Sequence, residues 1–511
     1  MIEITLVSNN LIERACDAYV FFCRNDFDFA RLSGTAGQLY APYEQAVKDR
    51  GFTGKSGSSL IVNGIYKEKA VYLIFLGLGD LPHKKPGGSI EAYRRALGKL
   101  VRIAESHRIS SFTFDLPDPA VLDLSYHHLA EETSTFLHKA SYHFDQFITN
   151  KERTFQWSIH SSIGVPDKYI TEAKQGLDRG ICFAEAINLA RTWCDMPPSH
   201  LPPLTLAHDA VNRAKEYGLV STILDKKEIE KLGMGGIEGV CRGSVNEPCM
   251  VIIEYKTAKK DAPTIALVGK GVTFDTGGLC IKPAASMLTM KDDMAGAAVV
   301  LATMNVIAQL KPDVNVVALA PLVENMPSGS AIKPGDVLKT YNGKTIEVID
   351  TDAEGRLILA DALAYAADKY KPIVMIDLAT LTGAMGVALG VFYAGLFTQD
   401  DELSERVIAS SISTGDQVWR MPLDDDYIPA IISDIADVKN VGDRRYLGSS
   451  ITAALFLKEF VGDTPWAHLD IASVAFGVPD LSYLRPGATG FGIRLLTDFV
   501  MRWKPADEKS V

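Results

Sequence analysis

The sequence predicts an α/β protein, with an N-terminal α/β domain and a larger C-terminal α/β domain built on a mostly parallel, helix-covered sheet. Length, alternation and texture carry that expectation. The chain has 511 residues, more than one hydrophobic core usually serves, so two domains are expected. Beyond residue 250, short runs rich in Val and Ile alternate with longer segments of helical spacing, the pattern of βα units. Up to about residue 165, strand-like segments are instead interleaved with one long amphipathic helix pattern.

In the first region, residues 1–165, strand-like segments fall at 18–23, 60–63, 71–76 and 112–114, and helical spacing runs over 89–107. Gly77-Leu78-Gly79 follows a strand, but Pro82 takes the third glycine position of a dinucleotide fingerprint. No helix pattern starts there, so the motif is rejected. Histidines are frequent in this region, among them His83, His107, His127 and His128; none has the spacing of a metal site. A helix over about 171–190 links the halves, and Met196-Pro197-Pro198 then breaks the pattern.

Residues 166–511 form the second domain. Its strands are expected at 250–253, 265–268, 314–319, 346–349 and 373–377, and its helices at 294–310, 357–370, 402–413 and 451–460. Ligands of such sheets gather beyond the carboxyl ends of the strands. The uncharged stretch 378–399 is long enough to cross a bilayer, yet it carries four glycines and is followed by Asp400, Asp401 and Glu402. A buried strand, a Gly-rich loop and a further strand are the better reading.

A formal net charge of −11 argues against nucleic-acid and anionic-membrane partners and suits a cytoplasmic enzyme. Seven cysteines without regular spacing give neither a disulfide framework nor a zinc pattern. No basic region followed by a long apolar run opens the chain, so no export signal is expected.

Three groups at the ends of successive βα elements concentrate the chemistry. The densest is Asp350-Thr351-Asp352-Ala353-Glu354-Gly355-Arg356, where a strand gives way to a helix. One carboxylate at a helix start complements the dipole by about 0.3–1 kcal/mol. Three within five residues repel one another, which a purely structural role does not require. Upstream, Gly269-Lys270-Gly271 and Phe274-Asp275 leave a strand end, and Ile281-Lys282-Pro283 follows; GxxxxGK[ST] is missing, so this is not a phosphate loop. The third group is Lys291-Asp292-Asp293-Met294, in which Asp293 alone reads as a helix N-cap. Asp275, Asp293, Asp352 and Glu354 together offer about four negative charges, a match for two divalent cations. Two metals bridged by carboxylates activate a water between them, and Lys282 and Arg356 remain as cations for an anion that develops during reaction.

These motifs, with Ala379-Thr380-Leu381-Thr382-Gly383, Trp466-Ala467-His468-Leu469-Asp470-Ile471-Ala472 and Gly487-Ala488-Thr489-Gly490, resemble the leucyl (cytosol) aminopeptidase family of di-metal exopeptidases. The resemblance runs from about residue 195 to the C-terminus. It implies a catalytic domain that releases N-terminal, leucine-like residues from peptides. It also implies a tight metal site of Lys270, Asp275, Asp293 and Glu354 and a readily exchanged one of Asp275, Asp352 and Glu354. Mn²⁺ or Zn²⁺ is the expected pair of ions, with Mg²⁺ and Co²⁺ compatible with the same donors. A lysine ligand must be neutral, and a free lysine has a pKa of about 10.4, so the metal has to displace its proton. Lys282 is implied to polarise the scissile carbonyl. Arg356 is implied to hold a bicarbonate as general base, because arginine itself does not give up a proton at working pH. Met290, Thr380, Leu381 and Gly383 are implied to line the pocket for the first side chain, and the assembly is implied to be a homohexamer.

Asp350 stands where the family usually has Asn, on the substrate side, and is grouped with the pocket. Ser199 replaces another Asn, and Gly448-Ser449-Ser450 stands where paired glycines are usual. None is a metal or catalytic position, so this chain is expected to differ in substrate range. No GxSxG elbow is present and Cys280 has no evident histidine partner, which disfavours other hydrolase mechanisms. The alternative of a different class, an added DNA-binding role on the same fold, is disfavoured by the acidic charge.

Overall fold

The computed structural model describes residues 2–8, 15–25, 39, 41–81, 87–155 and 158–503. Pro82 and His83 lie outside them. The chain forms two compact units, Met1–Glu185 with Pro479–Arg485, and Ala186–Val478 with Pro486–Val511.

The first unit holds six described strands: β1 (Ile2–Ser8), β2 (Ala18–Arg24), β3 (Ser59–Tyr66), β4 (Lys69–Gly79), β5 (Ser111–Asp115) and β6 (Ile159–Val165). They lie in the order β1-β6-β5-β2-β4-β3. Neighbours are parallel except in the hairpin of β3 and β4. The helix Gly88–Ser106 buries Ile90, Leu97, Leu100 and Val101 along one stripe, as its periodicity predicts. Arg94 on the same helix is buried too, and Glu132 receives both of its forked N–H bonds at 2.8 Å. The strands β1 and β6 extend the sheet beyond the segments read from the sequence.

The second unit adds β7 (Val220–Leu224), β8 (Cys249–Tyr255), β9 (Thr264–Gly269), β10 (Gly271–Asp275), β11 (Asn315–Asn325), β12 (Val337–Lys339), β13 (Thr345–Glu347), β14 (Val374–Ala379), β15 (Ala394–Phe397), β16 (Val418–Arg420), β17 (Val438–Lys439) and β18 (Trp466–Asp470). Nine of them form one sheet in the order β16-β15-β18-β14-β9-β11-β8-β7, with β10 also paired to β11. Its centre, β18-β14-β9-β11 with β10, is parallel, and the antiparallel pairs lie towards the flanks. Every residue of β14 is buried, the mark of a strand covered on both faces. The helix Ala295–Leu310 carries no charge and is buried from Ala295 to Ile307, so it packs as a core element rather than an amphipathic one. The helix Gly355–Tyr370 stops where Lys371 turns left-handed at φ 45° ahead of Pro372. Leu359 and Leu363 of this helix join Ala266, Val268, Leu319 and Met375 of the sheet in the core.

Three expectations change. The strand read at 314–319 runs on to Asn325, past Pro321, which has no N–H to donate. The strand read at 346–349 shortens to β13 and leaves the main sheet for a three-stranded one, β12-β13-β17. Within 378–399 a short helix, Ala384–Leu389, stands where a loop was expected. Among the described residues no helix is long and apolar enough to cross a membrane.

Candidate metal centre

Four parallel strands, β9, β10, β11 and β14, end on one edge of the sheet, and the site is built there. Lys270 is the single residue between β9 and β10. Its N–H bonds to Leu378 O at 3.0 Å, and its carbonyl accepts from Ala297 N at 2.8 Å, so β14 and the helix Ala295–Leu310 fix its backbone. Asp275 closes β10 opposite Asn325, the last residue of β11. Asp293 precedes the helix Ala295–Leu310 but does not cap it; Met294 takes the cap position. Glu354 stands at the cap of the helix Gly355–Tyr370 and makes no side-chain cap bond either. Both carboxylates are turned to the lysine instead.

The Lys270 ammonium lies 2.6 Å from Asp293 Oδ1 and 2.9 Å from Glu354 Oε1 and donates to Thr380 O at 2.8 Å. Lys282 lies 2.8 Å from Asp275 Oδ2 and 2.5 Å from Asp352 Oδ1. The structure thus brings together the six side chains expected to converge. Carboxylate oxygens of Asp275, Asp293 and Glu354 fall within 4.8 Å of one another, and all three residues are buried. Asp293 Oδ2 and Glu354 Oε2 are buried with no hydrogen-bond donor among the described residues. Such an oxygen is costly in a protein interior, and a bound cation is the partner that carboxylates in this arrangement accept.

Burial works against the Lys270 ammonium, but Asp293, Glu354 and Asp275 outweigh it and hold its pKa above the ordinary lysine value. Burial likewise opposes the Glu354 carboxylate, and Lys270 and Lys282 reverse this, leaving its pKa low. Asp275 is pushed up to about 6, by burial first and by the Glu354 charge second.

Arg356 is buried and donates from Nη1 to Asn440 O at 2.6 Å. Its Nε has no hydrogen-bond partner among the described residues. Burial lowers its pKa to about 10 against the charges of Glu354, Asp470 and Asp350. A buried guanidinium with donor capacity to spare has the chemistry to hold an anion. Asp350 is half-buried; Asn440 holds its backbone on both sides, and its Oδ1 accepts from Asp352 N at 2.9 Å. Met290 opens the short turn that delivers Asp293, Leu381 N bonds to Asp470 Oδ1 at 3.2 Å, and a Cβ added at Gly383 meets nothing within 4 Å.

Asn325, Thr351 and Asn440 also shape the site and were not singled out from the sequence. The usable signal was Asn325 itself, a polar residue ending an otherwise buried strand at the edge where ligands gather.

Residues 188–497 match the model of the catalytic domain of the cytosol aminopeptidase family, and residues 32–151 match its N-terminal domain. A probable cytosol aminopeptidase of Nitrobacter winogradskyi is 40% identical over 482 residues, 94% of either chain. Among solved structures, the bottromycin maturation enzyme BotP in complex with Mn is similar with a TM-score of 0.83 at 30% identity, covering 95% of this chain and 99% of that one. A mutant of tomato leucine aminopeptidase is similar with a TM-score of 0.86, also at 30% identity, covering 98% and 97%.

Proposed function

Because the chain belongs to the cytosol aminopeptidase family and is a metal-dependent aminopeptidase of that di-metal class, we propose how its residues divide the work. Lys270, Asp275, Asp293 and Glu354 hold one divalent cation, and Asp275, Asp352 and Glu354 hold a second. The observation that carries this reading is the convergence of three buried carboxylates, two of which have oxygens without donors. Mn²⁺ suits the carboxylate oxygens and is the ion in the BotP complex, while the Lys270 nitrogen also suits Zn²⁺.

When bound, the two cations supply an acidified water as nucleophile and polarise the scissile carbonyl. Lys282 is the more exposed of the two lysines and stays an ammonium beside Asp275 and Asp352, placed to stabilise the oxyanion of the attacked carbonyl. Arg356 would hold an anion such as bicarbonate, which would supply the general base that arginine itself cannot provide. Met290, Thr380, Leu381 and Gly383 line the pocket for the first side chain, and family membership supports a leucine-like preference. Asp350 adds a carboxylate beside that pocket and tunes substrate choice. A cytoplasmic homohexamer is proposed on family membership.

Purified protein reloaded with Mn²⁺ or Zn²⁺ is expected to cleave Leu-p-nitroanilide and Leu-Gly and to leave N-acetyl-Leu-p-nitroanilide intact. Failure of the reloaded protein to cleave any unblocked leucyl substrate overturns the reading.

A further inference from the structure

The loop 380–383 leaves β14 carrying three of the residues assigned to the substrate pocket, and polar side chains behind it hold it from two sides. Asp470, buried at the end of β18, stands opposite Ala379, the last residue of β14. Its Oδ1 accepts from Leu381 N at 3.2 Å, Thr382 N at 3.4 Å and Ala472 N at 3.2 Å, and its Oδ2 accepts from the Thr382 hydroxyl at 2.6 Å. One carboxylate thus fixes the backbone of two successive loop residues. Thr382 is the buried member of the loop, and its Oγ1 also lies 2.6 Å from Ser450 Oγ. A hydroxyl has a single hydrogen. Thr382 gives its own to Asp470, so Ser450 is the donor of the second bond. Ser450 is 5% exposed and lies in the first turn of the helix Ser449–Lys458. It belongs to the Gly448-Ser449-Ser450 stretch that departs from the usual paired glycines, so the departure reaches the pocket loop through one hydroxyl.

We propose that Asp470, Thr382 and Ser450 form a relay of positioning residues that sets the preference for the first side chain, by fixing the wall that Leu381 and Gly383 present to the substrate. The inference rests on the pocket reading above. None of these bonds ends on a metal ligand; the same loop meets Lys270 and Asp293 through Thr380. Loss of the Thr382 hydroxyl leaves Asp470 Oδ2 buried without that donor, and the carboxylate and the loop it holds must shift to replace the bond. A loosened wall fits a long side chain less well and a short one about as before, so discrimination falls rather than rate alone.

The test is the ratio of kcat/KM for Leu-p-nitroanilide to that for Ala-p-nitroanilide, on full-length, Mn²⁺-loaded wild type, Thr382→Val, Thr382→Ser, Ser450→Ala and Met290→Ala. Both substrates meet the same enzyme, so the ratio does not depend on the fraction folded or loaded with metal, and a merely structural role leaves it unchanged. Thr382→Val removes both hydroxyl bonds at nearly constant shape and is expected to lower the ratio about tenfold, the scale of a methylene's fit in an apolar pocket. Ser450→Ala, which carries the test if the valine variant does not fold, is expected to lower it by a smaller factor. Thr382→Ser keeps the hydroxyl and should keep the wild-type ratio. Met290→Ala alters the pocket itself and should move the ratio whatever the relay does. If it does so while Thr382→Val or Ser450→Ala leaves the ratio unchanged, the relay is overturned. A Thr382→Ser ratio as low as that of Thr382→Val overturns it too, because packing and not hydrogen bonding would then govern. A ratio indifferent to Met290→Ala overturns the pocket reading, and the relay with it.

Discussion

Gly355 stands between Glu354 and Arg356 at the start of its helix, and its missing side chain is what lets Lys270 reach the carboxylates. A Cβ at that position would lie 2.6 Å from Lys270 Cδ and 2.7 Å from Nζ, against ordinary contacts of about 3.5–4.0 Å. In Gly355→Ala the lysine tip must therefore retreat by about 1 Å. Its ion pairs with Asp293 and Glu354, now 2.6 and 2.9 Å, would open past hydrogen-bonding range. Two effects oppose each other. Alanine in a helix is worth at most about 1 kcal/mol over glycine, whereas breaking a buried ion pair costs about 3–5 kcal/mol. The second wins, so the variant should be less stable in EDTA by about 2–4 kcal/mol. It should also bind the tight cation about 10–100-fold more weakly. Denaturant titration and calorimetry read the two quantities. In a Lys270→Ala background the clash is gone, and Gly355→Ala should cost nothing further in metal affinity. Wild-type stability and affinity in Gly355→Ala would refute the close approach on which the reasoning stands.

Lys282→Ala and Arg356→Ala are expected to keep both cations by elemental analysis while losing about 10²–10³ in kcat. Asp352→Asn should lose one cation, and full metal content in that variant would overturn its assignment. His468 is buried with Nδ1 2.7 Å from Asp377 Oδ1; burial disfavours its charge, but Asp377 outweighs this and raises its pKa above 6.5. Because the folded value exceeds the unfolded one, the imidazolium adds stability that is fully present below about pH 6.5 and is lost as pH rises through the folded value. The stability gap between wild type and His468→Gln should shrink on going alkaline, and a gap that widens would contradict the pairing. EDTA should abolish activity without loss of the far-UV circular dichroism of the fold; unfolding on chelation would show that the lysines do not suffice to hold the carboxylates together.

Asp352 and Glu354 were legible because closely spaced carboxylates demand a physical reason, and Lys270 because glycines flank it at a strand end. Asn325 was not, because the strand was read only to residue 319 and the support lies six residues further on, past a proline. Nothing local says that β11 continues there: its pairing with β10 at Leu322 to Asn325 is a tertiary fact. The alternation over 346–349 correctly marked a strand, but period-two patterning does not say which sheet a strand joins. The main sheet was legible for the opposite reason. Continuous apolar runs such as Val374-Met375-Ile376 require cover on both faces, and the helical segments between them supply it.

The four carboxylates divide evenly between the two lysines, Asp293 and Glu354 with Lys270, Asp275 and Asp352 with Lys282, and this explains how three of them, Asp275, Asp293 and Glu354, are buried together. Isolated carboxylates in a protein interior cost several kcal/mol each unless paired. The lysines look alike in the sequence, yet their surroundings suit them to different work. Lys270 has a backbone acceptor, Thr380 O, besides its carboxylates. A neutral amine would keep N–H bonds to donate to that carbonyl, so under the proposed assignment Lys270 could surrender a proton to serve as a ligand and remain oriented. The two ion-pair partners of Lys282 are both carboxylates, and it lies nearer the solvent. Nothing there rewards the neutral form, so under the proposed division of work Lys282 would stay charged and, with cations to compensate Asp275 and Asp352, would be free to face the oxygen on which negative charge develops.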